Sequence, residues 1–198
     1  MARNNLVPDR IQALWNILGG DEGVDDIITR KVIVTLTPVA KAVSVYLESL
    51  GNVIFKINQS IDADEFLKTR QGLWINSDFD KFLGGKASKV KGGIKSSKWL
   101  RKKDSSYENI KGELPSAGTY RIGEFRTMLA SALDKQWGGK VGVLRTDGKG
   151  QVFHVWNENE TACFAVSVTW YSVGEEWYVN VFKLSGQFDA GRWVFSRN

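Results

Sequence analysis

Cysteine, histidine and proline are nearly missing from this chain of 198 residues, which holds one Cys, one His and three Pro. A single Cys163 excludes an internal disulfide, so folding has to rest on buried surface. One His and one Cys leave only carboxylates as further metal ligands. No Asp/Glu spacing matches an EF-hand loop or a His-Glu-x-x-His helix, so no metal is expected. The glycine pairs match neither a Walker phosphate loop nor a Gly-x-Gly-x-x-Gly turn after a strand, and no cofactor is expected. No run of about 18 apolar residues occurs, which argues against a membrane-spanning helix. The opening Met1 to Arg10 lacks the apolar centre of a secretory signal. With so little cysteine, a soluble protein in the cytoplasm is the expectation.

A further absence is local. Between Lys81 and Lys103 there is no Asp or Glu, while nine basic residues fall in that stretch. The whole chain has 27 basic and 22 acidic residues, so the remainder carries 18 against 22. The apparent pI near 9.3 is thus the property of one segment set in a mildly acidic protein. A focused positive field is a physical reason to expect a polyanionic partner. Lys86, Lys89, Lys91, Lys95, Lys98, Arg101, Lys102 and Lys103 would contact phosphates, and Trp99, set among them, would stack on an exposed base. The competing reading is a solvated linker, since Gly84-Gly85, Gly92-Gly93, Ser96-Ser97 and Ser105-Ser106 make ordering costly.

What is present reads as an α+β protein in three parts. Residues 1–85 form a small N-terminal part of mixed helix and strand. Ile11, Leu14, Trp15 and Leu18 share a helical stripe behind Pro8, and Asp21 would cap a second short helix. Lys31–Leu36 and Asn52–Ile57 are β-branched and strand-like, and 39–50 leans to helix. A helix pair follows. Asp62 or Asp64 opens the first helix, Gly72–Asn76 turns, and Ser77 caps the second. Asp78 and Asp80 on that second helix would repel phosphates, which argues against its lying in a DNA groove.

Residues 86–115 read as the Lys/Gly/Ser-rich linker or long loop. Residues 116–198 read as one helix covering an antiparallel sheet of four to five strands. The helix runs from Ser116 or Thr119, with Ile122, Phe125, Leu129, Ala132 and Leu133 on one face, to Gly138-Gly139. Strands are predicted at 140–145, 151–157, 161–171, 176–184 and 192–197, with Asp147-Gly148 as a hairpin turn. Along 161–171, Ala162, Phe164, Val166, Val168 and Trp170 alternate with Cys163, Ala165, Ser167, Thr169 and Tyr171, so one face belongs to the core under the helix.

Three motifs outside the basic segment invite a functional reading. Trp156, Trp170, Trp177 and Trp193 would form a stacking platform or, more commonly for such residues, a core. His154 and Cys163 flank a turn. Pairing of 156 with 161 would place 154 opposite 163, and a loop one residue longer would turn the thiol away. No orienting third group accompanies them, so catalysis is not expected. Glu158, Glu160, Glu175 and Glu176 sit in two turns, where acids are solvated or dock the protein's own basic segment.

The string Ala13-Leu-Trp-Asn-Ile-Leu-Gly-Gly-Asp-Glu-Gly-Val24 resembles the opening of a loose group of bacterial, candidate-phylum hypothetical proteins. The helix pair at 62–84 and the ending Phe188-Asp-Ala-Gly-Arg-Trp-Val-Phe195 are similar in placement to features of that group. The resemblance implies a bacterial or phage origin and carries no activity or site residue with it. The functional expectation is a non-enzymatic protein that binds nucleic acid through its basic segment. The alternative is a protein-interaction module, an inhibitor or adaptor, using exposed aromatics of the C-terminal sheet.

Overall fold

The computed structural model describes residues 46–115 and 118–198. The helices and strand expected before residue 39 lie outside the described residues. Ten strands and four helices follow in the order β1 (Leu47–Lys56), α1 (Ala63–Thr69), β2 (Leu73–Ile75), α2 (Asp78–Leu83), β3 (Gly93–Arg101), β4 (Ser105–Ser106), α3 (Tyr107–Glu113), β5 (Tyr120–Arg121), α4 (Ile122–Lys135), β6 (Gln151–Trp156), β7 (Cys163–Tyr171), β8 (Glu176–Lys183), β9 (Gln187–Phe188) and β10 (Trp193–Arg197). Mixed α and β structure around one large sheet agrees with the α+β expectation.

Local chemistry explains several of these elements. Asp62 caps α1 by accepting a hydrogen bond from the Glu65 amide at 3.0 Å. Ser77 precedes α2 without a side-chain cap; Asn76 accepts from the Asp78 amide instead, at 2.7 Å. Ser106 caps α3 through the Asn109 amide. In β7 the alternation places Phe164, Val166, Val168 and Trp170 against α4, as the sequence pattern predicts.

The sheet runs β1-β3-β10-β6-β7-β8-β2, with β5 also paired to β6. The pairs β6–β7 and β7–β8 are antiparallel. The pairs β10–β6, β2–β8 and β5–β6 are parallel. A purely antiparallel C-terminal sheet is therefore corrected to a mixed one that also takes in β1, β2 and β3. The expected turn at Gly72–Asn76 holds β2, residues 46–50 extend into β1 rather than a helix, and 140–145 forms no strand.

The largest correction concerns 86–115. Instead of a linker, it contributes β3, flanked by β1 and β10, followed by β4 and α3. Ile94 and Ser96 turn inward while Lys95 stays exposed, a period-two pattern whose buried side is short and partly polar. Ser96 is held by the Tyr120 hydroxyl at 2.7 Å. Backbone pairing with strands about 40 residues before and 100 after offsets the ordering cost of the glycines and serines.

The two faces of the sheet are covered unequally. One packs against α4, whose residues are buried almost all round: the sheet lies on one side, α1 and the 84–92 loop on the other. Gly123 permits that second approach, because a Cβ there would come within 2.1 Å of Ser88 Oγ. At the centre of this core, Phe153 and Phe195 stack at 5.0 Å, with Phe125 at 5.3 Å from Phe153. Among the described residues, the other face is covered only by the seven-residue α3 and the β4–β9 ribbon. Tyr107, Ile110 and Leu114 rest there on Val152, Ala165 and Val194. Beyond α3 no described element covers this face, and it is called the open part below.

Candidate functional sites: the basic residues and the open sheet face

Strand geometry divides the residues expected to bind nucleic acid. On β3, Lys98 lies on the α4 side with its ammonium 4.1 Å from the Trp193 ring centre. Trp99 lies on the opposite side, half-buried, its indole N–H donating to Ser196 Oγ at 3.0 Å. Arg101 is buried. Its guanidinium donates to the carbonyls of Lys103 and Ser105, closing the turn into α3, and burial lowers its pKa. Trp99 and Arg101 are thus committed to the fold. Lys86, Lys89 and Lys91 are exposed in the loop over α4, Lys95 is exposed on β3, and Lys102 and Lys103 are exposed in the turn. The Lys103 ammonium lies 5.1 Å from the Tyr46 ring centre. Lys86, Lys89, Lys91, Lys95 and Lys103 form no ion pair among the described residues. The structure therefore leaves much of the charge available without bringing the nine residues into one site.

Of the turn acids, Glu158 meets this segment at its start, accepting from the Gly85 amide, whereas Glu160 pairs at 2.8 Å with Arg121, outside the segment.

His154 and Cys163 are brought to one face, though in neither register considered from the sequence. Trp156 pairs with Cys163 and His154 with Ala165, so the two lie diagonally. His154 is fully buried beneath α3, its Nε2 3.2 Å from the Tyr107 carbonyl oxygen. Burial first, then the nearby Lys111, holds its pKa down at about 4, and burial pushes the Cys163 thiol up. A neutral imidazole shut from solvent and a thiol kept protonated make a poor base and a poor nucleophile. Among the described residues no cluster of His, Cys, Asp and Glu could hold a metal ion.

Of the four tryptophans, Trp170 and Trp177 are buried in the core, while Trp156 and Trp193 are half-buried under Lys111 and Lys98. The exposed aromatic surface is made by other residues. On the open part of the α3 face, cross-strand register lines up Thr169 on β7, Tyr178 on β8 and Trp74 on β2. Tyr171 joins them from the next position along β7. The Trp74 and Tyr178 rings are 5.4 Å apart and Tyr178 and Tyr171 5.9 Å, while Trp74 is 45% and Tyr171 50% exposed.

The Tyr171 and Tyr178 rings border a cavity of about 550 Å³. Ser167, Thr169 and Asn180 line its middle; Arg192 and Phe188 close it on the side toward β10. The Arg192 guanidinium lies 4.5 Å over the Phe188 ring, and its side chain is 24% exposed. Its ion pair with Asp189 is loose, at 3.7 Å, with that carboxylate largely in solvent. Gly150 makes the arrangement possible: a Cβ there would lie 2.8 Å from each of Arg192 Nη1, Ser167 Oγ and Thr169 Oγ1. The cation and the two hydroxyls therefore converge over a bare patch of backbone.

A second cavity, about 650 Å³, lies between α1, β2 and α2 with Arg126 at its base. That guanidinium pairs with both Asp64 and Asp80, which neutralise it. Arg192 differs in that its carboxylate partner, Asp189, stands farther off at 3.7 Å and largely in solvent.

The sequence reading noted Ser167, Thr169 and Tyr171 as the face of β7 away from the helix, which was the usable signal. Trp74, assigned to a turn, and Arg192 with Gly150 carried none. Comparison of the chain with protein-family models, with curated proteins and with solved structures returns no match. Among the described residues no helix is long and apolar enough to cross a membrane.

Proposed function

We propose that this is a non-enzymatic binding protein whose recognition surface is the open half of the α3 face. The observation that carries this reading is the group Trp74, Tyr178 and Tyr171, three rings joined in a row through Tyr178, with the partly shielded Arg192 on the same face. Exposed aromatics next to an arginine have the composition of recognition surfaces, where rings supply contact area at low entropy cost. The buried, neutral state of His154 supports binding rather than proton-transfer chemistry. The test is amide chemical-shift mapping against a panel of nucleotides, oligonucleotides and small aromatic fragments. Perturbations centred on Thr169, Tyr171, Tyr178 and Arg192 are the expected result. Binding that maps elsewhere while these amides stay silent overturns the reading.

A second reading, nucleic-acid contact through the basic segment, is favoured by the exposure of Lys86, Lys89, Lys91, Lys95 and Lys103 and by their lack of ion pairs among the described residues. Such contact would be electrostatic and diffuse. Fluorescence anisotropy with single- and double-stranded oligonucleotides would show affinity falling steeply with salt. Replacing these five lysines by Gln should flatten the salt slope, and an unchanged slope sinks the idea.

A further inference from the structure

The geometry points to a nucleoside monophosphate, free or as the 5′-phosphorylated terminal unit of a strand, as the ligand of the Arg192 cavity. This rests on the open face being the recognition surface and specifies its chemistry.

The cavity is polar at one end, aromatic at the other and graded between. Arg192 Nη1 sits over Gly150 on β6, beside the hydroxyls of Ser167 and Thr169. It is a cationic donor whose charge is only loosely met by Asp189 at 3.7 Å, suited to a carboxylate or phosphate. The rings of Tyr178 and Tyr171 arise from β8 and β7. From Gly150 on β6 to Tyr178 on β8 is two strand spacings, about 10 Å. A ring bonded directly to its anionic group is too short to reach both ends. A ring joined to its anion through a hydroxyl-bearing spacer spans that distance, and the spacer would meet Thr169 and Asn180. A nucleoside monophosphate has these three parts in this order, and the volume of about 550 Å³ lies within the range of small-ligand sites.

The far end sets a limit. Glu176, cross-strand from Tyr171, accepts the Tyr178 hydroxyl at 3.0 Å and places a carboxylate beside the rings. A phosphate placed there would be repelled, so the ring lies at this end and the anion at Arg192.

The test is titration of the intact protein with the four common ribonucleoside 5′-monophosphates, the matching nucleosides and inorganic phosphate, followed by amide shifts. The expected result is saturable binding of at least one monophosphate at Thr169, Tyr171, Tyr178 and Asn180, with its nucleoside roughly ten- to hundredfold weaker. Arg192→Gln should erase that difference and Arg192→Lys restore part of it. Gly150→Ala, which leaves Arg192 in the chain but fills the patch beneath it, should weaken the monophosphate by a similar factor. Folding of each variant is checked by its amide spectrum away from the cavity.

Equal binding of nucleoside and monophosphate overturns the inference while leaving the recognition surface standing. So does binding only by fragments of unrelated chemistry. Absence of saturable binding by all four monophosphates overturns it outright. A 5′-phosphorylated trinucleotide separates the two sources: binding tighter than the monophosphate supports a strand end, and weaker binding supports the free nucleotide.

Discussion

The two faces of the sheet are made by the same strands, residue by alternate residue, yet have different fates. On the α4 side Phe55, Phe153, Val166, Val179 and Phe195 are all buried, in contact with a fourteen-residue helix that is itself enclosed. On the α3 side the same strands present Val152 and Ala165 beneath a short helix, then Ser167, Thr169, Tyr171 and Tyr178 where the helix has ended. Among the described residues, burial on this side follows the cover: the seven residues of α3 span about 10 Å, too short to cross an eight-stranded sheet. Function becomes possible where cover runs out, because only there do side chains escape the packing demands of a core.

The sharpest way to break this contrast is to truncate one ring on each face. Phe153→Ala should cost about 3–5 kcal/mol, since it opens a cavity at the centre of the aromatic stack. Tyr171→Ala should stay within about 0.5 kcal/mol. Both are read from urea midpoints at constant m-value, and comparable losses at the two sites would refute the division of labour.

His154, on the covered part of the α3 face, tests whether α3 seals what lies beneath it. Its folded pKa of about 4 lies below the unperturbed 6.5, so the unfolded chain binds the proton more readily. The neutral imidazole's contribution is complete above pH 6.5 and is lost as pH falls from there through about 4. The difference corresponds to about 3 kcal/mol across that window. His154→Phe should lack this part of the decline when unfolding is followed between pH 7.5 and 4.5, and parallel curves for the two proteins would mean that α3 opens enough to solvate the ring.

A smaller effect than that of His154 belongs to the margin of the α4 side. Lys98→Gln removes a cation over Trp193 and should cost about 0.5–1 kcal/mol, with little dependence on salt. A loss that vanishes at high salt would instead assign Lys98 to the diffuse electrostatics of its neighbours.

Legibility from sequence followed how local the cause of each element was. The α4 stripe and the β7 alternation are written within a dozen residues, and Asp62 marks its helix start directly. β3 is not written locally: its inward positions are one Ile and one Ser, and its partners lie far away along the chain. A basic, glycine-flanked strand therefore resembles a linker until β1 and β10 are in place. The open-face cavity was half-legible. Strand alternation exposed Thr169 and Tyr171, but nothing near Arg192 or Gly150 reveals that they meet across β6.

The position of β10 has a kinetic consequence. It is the strand that joins β3 to β6, and it follows all the others in chain order. Until residues 193–197 have been synthesised, the β1–β3 pair and the β6–β7–β8–β2 group are two half-sheets awaiting the strand that joins them, and the span to be closed is close to a hundred residues. Folding should accordingly be slow for a chain of this length, limited by a long closure rather than by local helix formation. A nascent chain halted before Trp193 should expose both edges to association with other copies.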